Sequence, residues 1–223
     1  MTDYTKVFYK GKNPSRNCLF CQPNPGMEII ETENFRLLAD TFPITPGHLM
    51  ISSKDHYSSA GELPSYLHEE FFSLKITATE IVRKMGSGYI LYEHGKAGSC
   101  HAHSSEEIHC EHFHLHCLPV SLCIHSKIAA RFPGIKMKDF DALFENYKKN
   151  GSYLYFENSI NEMVFYPAEE HEVPPHFLRT LICEALNKGG KAAWQEYTDL
   201  HCYLESRIMI ANALAAEARY AVL

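Results

Sequence analysis

Residues His112-Phe113-His114-Leu115-His116-Cys117-Leu118-Pro119 alternate histidine with an apolar side chain. A period of two is the period of an extended strand, so His112, His114 and His116 share one face while Phe113, Leu115 and Cys117 share the other. Successive imidazoles on that face sit roughly 6.6 Å apart, two strand rises, so all three cannot ligate one small metal ion without a bend. They can hold different atoms of a phosphate-sized group. A strand that merely carries polar residues on its solvent side is the plainer reading, and three histidines in register beside an apolar face argue against it.

The chain has 223 residues, 45% hydrophobic and 12% aromatic, enough for a packed core in one large or two small domains. Its formal charge is −6 and it contains no block of Lys and Arg, which argues against a general nucleic-acid surface but leaves room for a small anionic ligand. No apolar segment reaches the length of a membrane span and no basic-then-apolar leader opens the chain, so the expectation is a cytoplasmic protein without a membrane partner. Eight cysteines in such a chain are expected to be reduced thiols, core fillers or metal ligands.

Cys18-Leu19-Phe20-Cys21 is a Cys-x-x-Cys knuckle that supplies two of the four donors of a tetrahedral zinc site. On its own it is ambiguous with a redox pair, although no buried strand and helix flank it as that motif requires. Two strand-like runs follow, Phe35 to Ala39 and His48 to Ser52, joined by a proline- and glycine-marked loop that begins at Asp40. Turn chemistry alone would explain an aspartate there. The apolar residues Leu63, Leu67, Phe71, Leu74, Ala78, Ile81 and Met85 recur at steps of three and four, which predicts an amphipathic helix over Glu62 to Met85. Tyr89 to Tyr92 reads as a short strand, and Glu93 to Ser99 as a loop whose glycines permit close backbone approach to a ligand. Cys100 to Cys110 is a polar stretch containing His101, His103 and His109, read as an exposed flap; a second metal site from His101, His103 and Cys110 is an alternative. Beyond Pro119 the pattern predicts a short helix around Phe140 to Tyr147, a hairpin from Tyr153 to Tyr166, a helix from Pro174 to Leu186, and a long one from Ala192 to Tyr220.

The histidine run resembles the signature of the histidine triad (HIT) superfamily of nucleotidyl hydrolases and transferases, His-φ-His-φ-His-φ-φ with φ apolar; Cys117 and Leu118 fill the last two places. The segment Asp40 to His48 is similar to the same family, in which an aspartate at the position of Asp40 contacts ribose hydroxyls and Pro-Gly-His introduces the second strand. By the same resemblance, the loop through Gly98 and Ser99 contacts phosphate. The polar stretch from Cys100 to Cys110 departs from the family, where the glycine loop runs almost directly into the triad strand. Pro175 to Arg179 looks like a degraded form of a segment found in diadenosine tetraphosphate phosphorylase relatives; Arg179 itself reads as a helix-surface arginine, with a contact to substrate phosphate as the alternative.

The resemblance implies an α+β fold: a HIT-like antiparallel sheet with a packed helix in residues 1–125, and a C-terminal α+β extension in residues 126–223. Resemblance to the galactose-1-phosphate uridylyltransferase branch implies a structural zinc held by Cys18, Cys21, His56 and His112. The chemistry then falls to His114, as nucleophile on the α-phosphorus of a nucleotide, and to His116, bonding the non-bridging oxygens or the leaving group. The expected partner is a small-molecule nucleotide, with a homodimer as a further expectation from the family. Two other readings stay open: a metal-dependent hydrolase with the triad histidines as ligands, and a catalytically idle scaffold that binds nucleotides or a protein.

Overall fold

A computed structural model describes residues 18, 20, 21, 23, 26–98, 112–193 and 199–220. Eight strands form one antiparallel sheet: β1 (Glu28–Glu31), β2 (Phe35–Ala39), β3 (Leu49–Ser53), β4 (Ile90–Gly95), β5 (His114–Leu118), β6 (Ile135–Met137), β7 (Tyr153–Asn158) and β8 (Met163–Pro167). Their order across the sheet is β1-β2-β3-β5-β4-β7-β8-β6. The five α-helices among the described residues are α1 (His68–Met85), α2 (His125–Ala129), α3 (Asp141–Asn150), α4 (Phe177–Ala185) and α5 (Leu200–Tyr220). This is the α+β architecture that the sequence implies, and β4 pairs directly with β7, so a single sheet runs through residues on both sides of position 125.

Alternation along the strands assigns the two faces. Phe35, Leu37, Leu49, Ile51, Leu115 and Cys117 are fully buried against Phe71, Leu74, Ala78, Ile81 and Val82 of α1. Each such Leu, Ile or Phe contributes about 1.5–3 kcal/mol by leaving water. The opposite face is covered in two separate patches. Cys18, Phe20 and Met27 pack on Leu38 and Met50 at the β2–β3 end, while Ile128, Phe132, Leu178, Ile182 and Cys183 cover the β4–β7–β8 end. Between these patches, β5 presents His114 and His116.

Several boundaries differ from the sequence expectation for identifiable reasons. The helix expected from Glu62 begins instead at His68; Ala60–Glu62 and Ser65–Leu67 are separate 3-10 turns. Pro64 explains the break, because a residue before proline is driven out of the helical region and Leu63 is extended at φ −60°, ψ 126°. Strand β4 continues through Glu93, His94 and Gly95, which pair with Tyr155, Leu154 and Tyr153 rather than forming a loop. The Glu93 carboxyl group accepts hydrogen bonds from the Ala60 amide at 2.8 Å and the Tyr153 hydroxyl at 2.9 Å inside the sheet. The helix expected from Pro174 starts at Phe177, and the long C-terminal pattern is helical from Leu200.

Candidate functional site

The strand period places His114 and His116 on the same face of β5, and register names their neighbours: Ser52 lies opposite His114, and Met50 and Tyr92 flank His116. The His114 Nδ1 is 2.6 Å from the His112 carbonyl oxygen. A carbonyl only accepts, so Nδ1 carries a proton and donates it there. The Phe20 ring stacks on the face of His114 at 4.5 Å and 15°. Stacking covers the ring face.

His116 is fixed from two sides. Tyr92 stacks on it at 4.3 Å and 11°, and its Nδ1 is 2.9 Å from Nε2 of His48, the first residue after the Pro46-Gly47 turn. His48 Nδ1 lies 3.0 Å from Asp40 Oδ2 and 3.3 Å from the Ile44 amide. The shorter contact to a carboxylate decides the tautomer: His48 donates to Asp40 and accepts from His116. A chain of hydrogen bonds therefore runs Asp40, His48, His116. Burial holds His48 down to about 4 and His116 well below the ordinary histidine range, so both rings are neutral at pH 7.

Asp40 is itself anchored. Its Oδ1 accepts from the Phe42 amide at 2.8 Å, and the Arg179 guanidinium lies 3.7 Å from Oδ2. Arg179 is buried, donating to the carbonyls of Phe42 at 2.7 Å and Lys191 at 2.9 Å. This corrects the expectation of a helix-surface arginine. Its spacing of three and four from Ile182 and Cys183 puts it on the buried stripe of α4, and the anionic Asp40 with the loop carbonyls gives the charge partners it needs.

Cys18, Cys21, His56 and His112 converge, with all four donor atoms within 4.8 Å of one another. His112 Nδ1 is 3.3 Å from Cys18 Sγ, 3.5 Å from Cys21 Sγ and 3.2 Å from His56 Nδ1; Cys21 Sγ is 3.3 Å from His56 Nδ1. The edges of a tetrahedral zinc site, from its usual bond lengths, are roughly 3.3–3.6 Å where a histidine nitrogen is at one end. The donor set thus fits a metal ion. On the far side of the ring, His112 Nε2 donates to the Ser53 carbonyl at 2.8 Å, which turns the Nδ1 lone pair towards the thiols, the arrangement usual behind a ligating histidine. Burial and the neighbouring Cys18 push the Cys21 thiol up to about 12, a penalty that a bound cation reverses.

Gly98 has φ +72°, and a side chain there would come within 2.9–3.0 Å of Val173 and Pro174. Only glycine fits that turn. Ser99, His101, His103, His109 and Cys110 lie outside the described residues. His48, Tyr92 and Phe20 are the site residues that sequence reasoning passed over. His48 had a signal, standing directly after Pro46-Gly47; Phe20 and Tyr92 had none, since each reaches its histidine through tertiary pairing.

No protein-family model and no curated protein sequence matches the chain. Solved structures are similar to it. A Hit-like protein involved in cell-cycle regulation from Bartonella henselae is 17% identical with a TM-score of 0.37, over 62% of this chain and 94% of its own. A member of the HIT family from Bacillus subtilis is 18% identical with a TM-score of 0.36, over 60% and 96%. A histidine triad protein from Clostridium difficile is 19% identical with a TM-score of 0.36, over 49% and 95%.

Proposed function

We propose that this chain is a nucleotide hydrolase or nucleotidyltransferase of histidine triad type, acting at an α-phosphate through a nucleotidyl-His114 intermediate. One observation carries the reading: the Nδ1 proton of His114 is committed to the His112 carbonyl, which assigns the nucleophile's part to Nε2, beside a second, hydrogen-bonded histidine. In the first step His114 Nε2 forms a bond to phosphorus as the bond to the leaving group breaks, and the leaving group takes its proton from solvent, because the one proton of neutral His116 sits on Nδ1 towards His48. In the second, water or another acceptor attacks phosphorus and frees His114 while its proton passes to the His116 Nε2 lone pair, from which it is later released to solvent. Asp40 balances the charge of protonated His116 through His48. Its carboxylate retains lone pairs for a ribose hydroxyl, and Gly98, with Ser99 next to it in sequence, is the contact assigned to the phosphate.

Zinc is the cofactor of this reading, held by Cys18, Cys21, His56 and His112. Four protein donors leave no open position, so the ion is structural, tying the N-terminal knuckle to the start of the triad strand. It supplies no reacting group.

The purified protein is incubated with adenosine phosphoramidate, with diadenosine tetraphosphate in the presence and absence of phosphate, and with a UDP-sugar plus a sugar phosphate. Turnover of one of these by the wild type and its loss in His114→Ala is the expected result. Nucleotide binding without turnover on every substrate would replace the enzyme with a binding scaffold.

A further inference from the structure

A second group of donors stands apart from both the histidine row and the cysteine knuckle. Cys123 lies between β5 and α2, His125 opens α2, and Glu162 sits in the turn between β7 and β8; their ligand atoms all fall within 4.8 Å of one another. His125 Nε2 is enclosed and makes no hydrogen bond, and it lies 3.8 Å from Glu162 Oε2. The other ring nitrogen, Nδ1, is 2.7 Å from the Tyr166 hydroxyl, which fixes the ring from behind. Glu162 is held too: its Oε2 accepts from the Asn158 side-chain amide at 3.1 Å, and its backbone N–H is tied to Asn158 Oδ1 at 3.2 Å. Cys123 is exposed and not in a disulfide.

We propose that Cys123, His125 and Glu162 form a site for a zinc-class divalent cation, separate from the Cys18 and Cys21 set. A thiolate, an imidazole and a carboxylate are a borderline-soft set suited to zinc or cobalt(II). Two donors at zinc bond lengths stand roughly 3.3–3.6 Å apart, so the 3.8 Å between His125 and Glu162 needs only a few tenths of an ångström of closure. Tyr166 then takes the part of the outer-shell partner, accepting the Nδ1 proton while Nε2 ligates. Lys136 is the one competing cation in contact among the described residues, 3.6 Å from Glu162 Oε1, and its side chain is 81% exposed, so it swings away at little cost. Three protein donors leave a fourth position facing solvent. A bound ion would tie the segment that leaves the triad strand to the β7–β8 turn.

The test reads the Cys123 peptide itself, which makes it indifferent to the knuckle site. The full chain is alkylated with iodoacetamide with and without zinc, and modification of Cys123 is followed by peptide mass spectrometry in wild type, His125→Ala and Glu162→Gln. Zinc at about ten times its dissociation constant leaves roughly a tenth of the sites open, so Cys123 should react about tenfold more slowly in the wild type. His125→Ala should lose that protection. Glu162→Gln, a change in an exposed turn that keeps the fold if His125→Ala does not, should need more zinc to reach it. An alkylation rate that zinc leaves unchanged in the wild type, or equal protection in all three proteins, would overturn the site.

Discussion

At the scale of single residues, the arrangement around His114 makes Phe20 a link between the cysteine knuckle and the His114 imidazole. Phe20 stands between Cys18 and Cys21 in sequence and on the face of His114 in space. An aromatic pair of this kind contributes about 0.5–1.5 kcal/mol beyond its buried area. If that energy holds the ring in its reactive orientation, Phe20→Ala should lower kcat/KM by roughly two- to tenfold with bound zinc unchanged. Steady-state kinetics beside metal analysis checks this, and an unaltered rate would mean that the β5 backbone orients His114 unaided. The polar members of the site were largely legible in sequence, because histidine alternation and a cysteine knuckle announce their own geometry. Phe20 and Tyr92 were not, since an apolar ring in a knuckle or strand gives no sign of which imidazole it covers. Arg179 reads as surface until Asp40, 139 positions earlier, is brought within 3.7 Å.

At the scale of elements, legibility follows burial. Strands β2, β3 and β5 and the β7–β8 hairpin are read from sequence to within a few residues because each buries at least one full face. Strands β1 and β6 are the sheet edges and carry almost no apolar alternation; Glu28–Glu31 is exposed or half-buried throughout, and Ile135 and Lys136 are exposed. Periodicity has nothing to register there. The extension of β4 through Glu93 is hidden for the opposite reason, a carboxyl group inside the sheet, which becomes acceptable only through partners supplied by Ala60 and Tyr153. The same logic places the histidine row: on the sheet face over β5, His114 and His116 stand beside Ser52, Met50 and Tyr92, and the apolar covering clusters lie on either side of them.

At the scale of the whole molecule, residues from both halves of the chain build one site, since Arg179 of α4 and Asp40 after β2 hold the loop that orients His48 and His116. So many buried imidazoles give stability a definite pH dependence. His48 is held down to about 4, His94 to about 3 and His116 well below its ordinary value, each chiefly by burial, whereas burial pushes Glu93 up to about 8. From about pH 6.5 down to about 4.5, the unfolded chain binds protons on these three histidines that the folded chain refuses, outweighing the one proton that folded Glu93 retains, so stability falls with acid. Above about 6.5 only Glu93 of this group still differs, and stability declines as pH rises towards 8. Urea unfolding in zinc-replete buffer should therefore give a midpoint highest near pH 6.5, and a midpoint constant between pH 5 and 6.5 would show that these imidazoles titrate normally. The most direct test of the account is the intermediate. The protein is mixed with adenosine phosphoramidate, quenched in alkali to preserve the phosphorus–nitrogen bond, and its peptides spanning residues 112–119 are weighed. An adenylyl group on His114, absent from His114→Ala, is the result expected of a nucleophilic triad histidine; turnover with that peptide unmodified at every quench time would contradict it.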